Sequence, residues 1–251
     1  MGVNFAVFGD IHGRQDSMYE CAIEWEKESN RAIDAVLQLG DFETIRGDSD
    51  FSHYYAPKKY HHISDFSEYY SGLKEAPFLT VFIGGNHEAW GVLKKHNSGG
   101  FVAPNIYYLG RAGVLNVKGV SIGGLTGVYS PKRYRSPLSK EPCHDWKYYR
   151  EEDVKALEDK KIDILLLHDW VRPVSGIEID KERNIPANLK QNSSAHSPSL
   201  ELVTKTQPKY VLMGHVHKAC LEGRLNNMKI VALSEFDKQN PDSFRIISYE
   251  I

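Results

Sequence analysis

Apolar residues recur in short runs that each end in a polar, mostly glycine-bearing cluster: Val3–Phe8, Ala35–Leu39, Phe78–Ile83, Ile162–Leu167 and Tyr210–Met213. Runs of this length predict strands. Between them a 3.6-residue apolar spacing predicts helices over Ser17–Ser29, Ile63–Ser71, Arg150–Asp159 and Pro198–Thr204. Strand followed by helix points to βαβ units and a largely parallel sheet covered by helices. Shorter runs follow one another at Tyr107–Leu109, Val114–Val117, Val120–Ile122, Ala219–Leu225, Lys229–Leu233 and Phe244–Tyr249. Lys118-Gly119 and Asn226-Asn227 read as tight hairpin turns, so a second, more antiparallel sheet is expected. The expected fold class is α/β: a four-layer αββα sandwich of two mixed sheets flanked by helices. Tyr129–Tyr149 and Ser175–Ser197 read as long loops, and no repeat, low-complexity tract or linker divides residues 1–251 into more than one domain.

Charge changes this picture little. Thirty-one basic residues against 33 acidic ones give a net charge of −2, with 41% apolar residues. Whole-molecule electrostatics therefore cannot gather nucleic acid, and any anionic substrate must be held locally. No run approaches the ~20 apolar residues of a membrane span. Met1 leads straight into a strand, so no secretory signal is expected, and Ala6 stands where a myristoylation signal carries Ser or Thr. Asn192-Ser193-Ser194 matches a glycosylation acceptor, which has no meaning without secretion. Three scattered cysteines (Cys21, Cys143, Cys220) argue against a disulfide framework and for a reducing compartment, so an intracellular, cytoplasmic setting is expected, or a nuclear one in a eukaryote.

The polar clusters carry the chemistry. In order they are Gly9-Asp10-Ile11-His12-Gly13, Gly40-Asp41-Phe42, Gly84-Gly85-Asn86-His87-Glu88, His168-Asp169-Trp170 and Gly214-His215-Val216-His217. Loops after the carboxyl ends of parallel strands converge on one rim of a sheet. Imidazole, carboxylate and amide donors without thiolate suit Mn²⁺, Fe²⁺ or Zn²⁺. One residue separates Asp10 from His12 and His215 from His217, which puts each pair on one face of an extended segment. Taken singly, Gly-Asp is a turn, His-x-His a surface pair and Asn-His-Glu the cap of a following helix. Five such clusters at five strand ends argue for a site.

This set resembles the signature of the calcineurin-like metallophosphoesterases. A more specific likeness, to the RNA lariat debranching enzymes, lies in Gly40-Asp41-Phe42-Glu43-Thr44-Ile45-Arg46, Pro57-Lys58-Lys59-Tyr60, Tyr69-Tyr70-Ser71-Gly72 and Phe82–Ala89. It continues through Gly99-Gly100, Ala103–Gly110, Gly123-Gly124 and His168-Asp169-Trp170, covering most of residues 1–217. The resemblance implies two divalent ions (Mn, Fe or Zn). One would be held by Asp10, His12, Asp41 and His217, the other by Asp41, Asn86, His168 and His215, with Asp41 bridging. It implies His87 as the acid that protonates the leaving oxygen, and branched or lariat RNA as the substrate, cut at its 2′,5′-phosphodiester.

Asp10 stands where the eukaryotic debranching enzymes carry Cys, and a hard carboxylate should favour filling of both sites. The sequence ends at Ile251, so the long C-terminal domain of those relatives is expected to be absent. The 129–149 loop falls where that family has its recognition segment, so Tyr129, Arg133, Tyr134 and Arg135 are candidate substrate contacts. Lys58, Lys59 and Tyr60 form a second basic-aromatic group. The other histidines (His53, His61, His62, His96, His144, His196) are expected at the surface. Cys143-His144-Asp145 is expected to be loop chemistry, and Trp170 to be packing.

Competing readings are a phosphoesterase acting on cyclic nucleotides, linear nucleic acid or another small diester, and a scaffold without catalysis. Protein phosphatases continue their second motif as Val-Asp-Arg-Gly, whereas Phe42-Glu43-Thr44-Ile45 follows here, and no ligand position is empty as a dead scaffold would require. No membrane and no obligatory protein partner are expected.

Overall fold

In the computed structural model, which describes residues 2–190 and 197–251, the chain opens β1 (Gly2–Phe8), α1 (Gln15–Ser29), β2 (Ala35–Gln38), α2 (Phe66–Ser71), β3 (Thr80–Phe82) and α3 (Trp90–Leu93). It continues β4 (Gly100–Ala103), β5 (Ile106–Tyr108), β6 (Ala112–Val117), β7 (Val120–Leu125), α4 (Glu151–Glu158) and β8 (Ile164–Leu167). The remainder is β9 (Glu178–Arg183), α5 (Ala187–Lys190), α6 (Pro198–Thr206), β10 (Tyr210–Met213), β11 (Cys220–Leu225), β12 (Met228–Ala232) and β13 (Phe244–Glu250).

Two mixed sheets result, ordered β13-β1-β2-β3-β5-β4 and β6-β7-β8-β10-β12-β11-β9. The inner strands of each pair in parallel and the outer ones antiparallel. Alternation along the strands builds the layers. Val3, Phe5 and Val7 of β1 meet Ile164 and Leu166 of β8 and Leu212 of β10 between the sheets. Ala6 and Phe8 face Met18, Tyr19 and Ala22 of α1, while Leu165, Leu167, Val211 and Met213 face Val154 and Leu157 of α4 and Leu202 and Val203 of α6. Both faces of these strands are therefore dry, which is why they read as unbroken apolar runs. Each buried Leu or Phe contributes about 1.5–3 kcal/mol relative to exposure.

The four layers and both hairpins agree with the expectation: Val117 pairs Val120 and Leu225 pairs Met228, with Lys118, Gly119 and Asn226 at positive φ. The assignment of strands to sheets does not. Ile164–Leu167 and Tyr210–Met213 belong to the second sheet, and Ile106–Tyr108 and Phe244–Glu250 to the first. A run buried on both faces carries no mark of which sheet receives it. The expected loop Ser175–Ser197 holds β9 and α5; all six residues of β9 are exposed, so this edge strand has no apolar face to announce it. Asn192-Ser193-Ser194 and His196 lie outside the described residues. Among the described residues no helix is long and apolar enough to cross a membrane.

Candidate metal centre

All five polar clusters follow the carboxyl ends of parallel strands: β1, β2 and β3 of one sheet and β8 and β10 of the other. The loops turn sharply there. Of ten non-glycine residues at positive φ among the described residues, four lie in them: His12 (45°), Asp41 (53°), Glu43 (59°) and His215 (70°). Such conformations cost on the order of 1–3 kcal/mol each, and persist where surrounding bonds fix them. Here Asp41 Oδ1 accepts the His87 N–H at 2.6 Å, Asp10 Oδ1 accepts the His215 N–H at 2.8 Å, and His12 N–H donates to the Asp41 carbonyl at 3.0 Å. The fully buried Glu88 carboxylate receives the N–H groups of Phe42, Glu43 and Gly85 at 2.9, 3.0 and 3.2 Å. Glycine is required beside the carboxylates, since a Cβ on Gly85 would fall 2.1 Å from Asp41 Oδ1 and one on Gly214 2.5 Å from Asp10 Oδ1.

Asp10, His12, Asp41 and His217 offer one ligand atom each, all within 4.8 Å of one another. His12 Nε2 and His217 Nε2 face each other at 3.2 Å. His217 Nε2 is 3.2 Å from Asp10 Oδ2, and His12 Nε2 is 3.9 Å from Asp41 Oδ2. Beside this group, His168 Nε2 lies 3.1 Å from Asn86 Oδ1 and 3.5 Å from Asp41 Oδ1. The His215 ring stands 4.9 Å from that of His168, centroid to centroid.

The donor set fits a divalent cation. Asp10 Oδ2 and Asp41 Oδ2 are buried without a hydrogen-bond partner, an arrangement that costs free energy unless positive charge arrives. The Nδ1 atoms of His12 and His217 lie against the carboxylates of Glu43 and Glu235 at 2.9 and 3.3 Å. With their protons on Nδ1, both imidazoles turn an Nε2 lone pair into the same space. A proton or a metal ion must relieve that contact, and hard oxygen with imidazole nitrogen suits manganese, iron or zinc.

Titration follows the same geometry. Burial favours the neutral acid at Asp10, but His168, His217 and His12 together hold it well below the carboxylate range, and Asp41 is lowered against burial chiefly by His168 and His12. His12 is pushed up to about 10 despite burial, by its bond to Glu43 and the charges of Asp41 and Asp10. The Asp10 carboxylate, 3.2 Å from its Nε2, raises His217, whereas burial and the His168 charge lower His215. Burial and the Asp41 charge push Glu88 well above the carboxylate range.

Above the carboxylates a cavity of about 330 Å³ is lined by His12, Glu43, Tyr54, Tyr60, His62, His87, His217 and Glu235. The His87 ring borders it 5.6 Å from His12 and 6.3 Å from both Tyr54 and Tyr60. His62 is exposed, as expected, and borders the cavity, its Nε2 3.2 Å from the His12 carbonyl and 3.6 Å from Glu43 Oε2. His61 is half-buried and stacks on Phe51 at 4.7 Å, which departs from a surface role. His53 and His96 are half-buried, and His144 is exposed. Glu88 does not cap α3, because its oxygens are taken by the Asp41 loop.

Lys58 and Lys59 are exposed in a 3₁₀ turn that carries Tyr60 to the cavity, with Lys59 Nζ 4.8 Å above the Tyr60 ring. The 129–135 group does not line it. Tyr129 and Tyr134 turn inward onto the buried Tyr149 at 5.9 and 6.2 Å. Arg133 pairs with Asp145 at 3.0 Å, and the exposed Arg135 borders a shallow cleft with Arg150 and Glu151. Trp170 is fully buried and donates Nε1–H to the Gly214 carbonyl at 2.7 Å, steadying the loop that carries His215. Cys143 and His144 are not in the ligand cluster; His144 Nε2 meets Lys147 Nζ at 2.8 Å.

Comparison with known proteins gives the same direction. Residues 3–219 match the family model described as Calcineurin-like phosphoesterase. The lariat debranching enzyme A of Xenopus laevis is 37% identical over 228 residues, 86% of this chain and 43% of that protein. The human lariat debranching enzyme is 37% identical over 84% of this chain and 41% of its own length. The Entamoeba histolytica enzyme is 34% identical over 85% of this chain and 64% of its own. The chain thus spans less than half the length of its vertebrate relatives. Among solved structures, TT1561 of Thermus thermophilus aligns with a TM-score of 0.54 at 14% identity, over 94% of this chain and 90% of that one, a likeness of fold.

Proposed function

Because the chain belongs to the calcineurin-like phosphoesterase family, we propose that it is a two-metal phosphodiesterase that opens the 2′,5′-phosphodiester at RNA branch points. The observation that carries the reading is the pair of buried, unpartnered oxygens of Asp10 and Asp41 beside the facing Nε2 atoms of His12 and His217. Asp10, His12, Asp41 and His217 would hold one divalent ion, and Asp41, Asn86, His168 and His215 the other, with manganese, iron or zinc suited to both. Such ions, when bound, neutralise phosphate oxygens and acidify water for in-line attack.

The side chains supply the rest. Asp41 is fixed through Oδ1 by the His87 N–H, which leaves Oδ2 facing the centre. His168 presents Nε2 inward because Nδ1–H donates to the Leu39 carbonyl at 2.8 Å. His87, at the cavity wall, gives its ring proton to the leaving 2′-oxygen as the P–O bond breaks and water adds to phosphorus. Tyr60, half exposed at the mouth, offers a stacking face for a base, and Lys58 and Lys59 offer charge to the backbone. Of the 129–135 group, the exposed Arg133 and Arg135 would meet RNA beyond the cavity, whereas Tyr129 and Tyr134 are held in packing against Tyr149. Support for branched RNA comes from relatives named lariat debranching enzyme and from the likeness in the middle of the chain.

Cleavage of a 2′,5′-branched RNA and of its linear 3′,5′ counterpart, with Mn²⁺ present, tests this. Rapid loss of the branch with the linear strand intact is expected. Equal rates, or hydrolysis of small cyclic or aryl diesters alone, would leave a phosphodiesterase of another specificity.

A further inference from the structure

The candidate ligand histidines differ in what stands behind them. His12 Nδ1 is 2.9 Å from Glu43 Oε1 and His217 Nδ1 is 3.3 Å from Glu235 Oε2. His168 Nδ1 instead meets a neutral acceptor, the Leu39 carbonyl, at 2.8 Å. Each carboxylate is itself anchored. Tyr54 O–H donates to Glu43 Oε1 at 2.8 Å, and Arg14 Nη2–H donates to Glu235 Oε1 at 2.9 Å. Glu43 is 1% exposed, stands at φ 59°, and has no hydrogen-bond partner on Oε2. A negative charge is thus kept in a dry, strained position where a neutral acceptor would serve the fold at lower cost.

A carboxylate behind an imidazole fixes the tautomer and makes the other nitrogen a stronger donor than a carbonyl does. We infer that Glu43 and Glu235 are positioning residues that make the Asp10–His12–Asp41–His217 group the tighter of two cation sites, the one filled first. The inference rests on the metal-centre reading above and adds an order of filling to it.

The test is titration of the metal-stripped full chain with Mn²⁺, read from the electron spin resonance of free Mn²⁺. Two affinity classes are expected, with the tight one lost in His217→Ala and kept in His168→Ala. Glu43→Gln and Glu235→Gln preserve size and an acceptor oxygen while removing charge. Each should weaken the tight class by about 10–100-fold and leave the weak class within about threefold. A structural role would loosen both classes together. Glu235 is half-exposed, so its variant remains informative should Glu43→Gln fold poorly. The inference falls if neither variant moves the tight class, if both classes weaken alike, or if the tight class goes with His168→Ala. A wild-type chain that takes up no Mn²⁺ overturns the metal-centre reading as well.

Discussion

Asp41 shows how far single positions decide this centre. It is fully buried, sits in the left-handed region, and leaves one oxygen without a hydrogen-bond partner while the other receives the His87 amide. The His87 backbone is thus tied to a candidate ligand while its ring borders the cavity, so the two roles can be separated by truncation. His87→Ala should keep the metal content of the wild type and lose about 10²–10⁴ in rate on branched RNA. The loss should shrink for a diester whose leaving group needs no proton. Metal analysis beside kinetics decides it, and a variant stripped of metal would make His87 a ligand instead. The candidate ligand residues were legible in sequence because five clusters bearing histidine, aspartate or asparagine recur at five strand ends, although taken singly they read as turns, a surface pair or a cap. The roles of Glu43 and Glu88 were not, although both stand in the quoted motifs, and Glu235 was not singled out at all, since an acidic residue in a loop looks like any solvated charge until its neighbours are placed around it.

At the level of elements, the clearest dependence is that of the 129–149 segment on Arg111. That side chain donates to the Trp146 and Tyr148 carbonyls at 2.9 and 2.8 Å and pairs with Asp153 at the start of α4. Removing one partner of a buried pair leaves the other charge uncompensated, at about 3–5 kcal/mol. Arg111→Ala should lower the stability to urea by that order, and a change under about 1 kcal/mol would show that water replaces the guanidinium. The segment's basic and aromatic residues were visible in sequence, but their direction was not. Tyr129 and Tyr134 serve a packed cluster with Tyr149, whereas Tyr60, from a shorter stretch, reaches the cavity. Composition reports which side chains a loop has, and only packing reports where they point. Strand β9 escapes a sequence reading for the related reason that backbone pairing, without an apolar face, holds it to β11.

Taken as a whole, the molecule is an α/β sandwich whose candidate centre is shared between two sheets. Asp10, His12, Asp41, Asn86 and His87 come from the first sheet, and His168, His215 and His217 from the second. Local alternation of strands and helices made the four layers readable, but not the division of the parallel strands between sheets, which depends on contacts distant in sequence. A cation bound there joins both sheets and should stabilise the native state by mass action, about 2.7 kcal/mol at a hundredfold excess over Kd. For a chain of this length, chelation should therefore lower Tm by roughly 5–10 °C, recovered on adding Mn²⁺. An unchanged melting curve would show that no ion binds the native state more tightly than the unfolded chain.

The most direct test is an anomalous difference map from crystals of this chain grown with excess Mn²⁺. Two peaks are expected, both within bonding distance of Asp41, one also against Asp10, His12 and His217 and the other against Asn86, His168 and His215. A map with no peak at Asp41, or with these side chains turned away from a single ion elsewhere, would contradict the account.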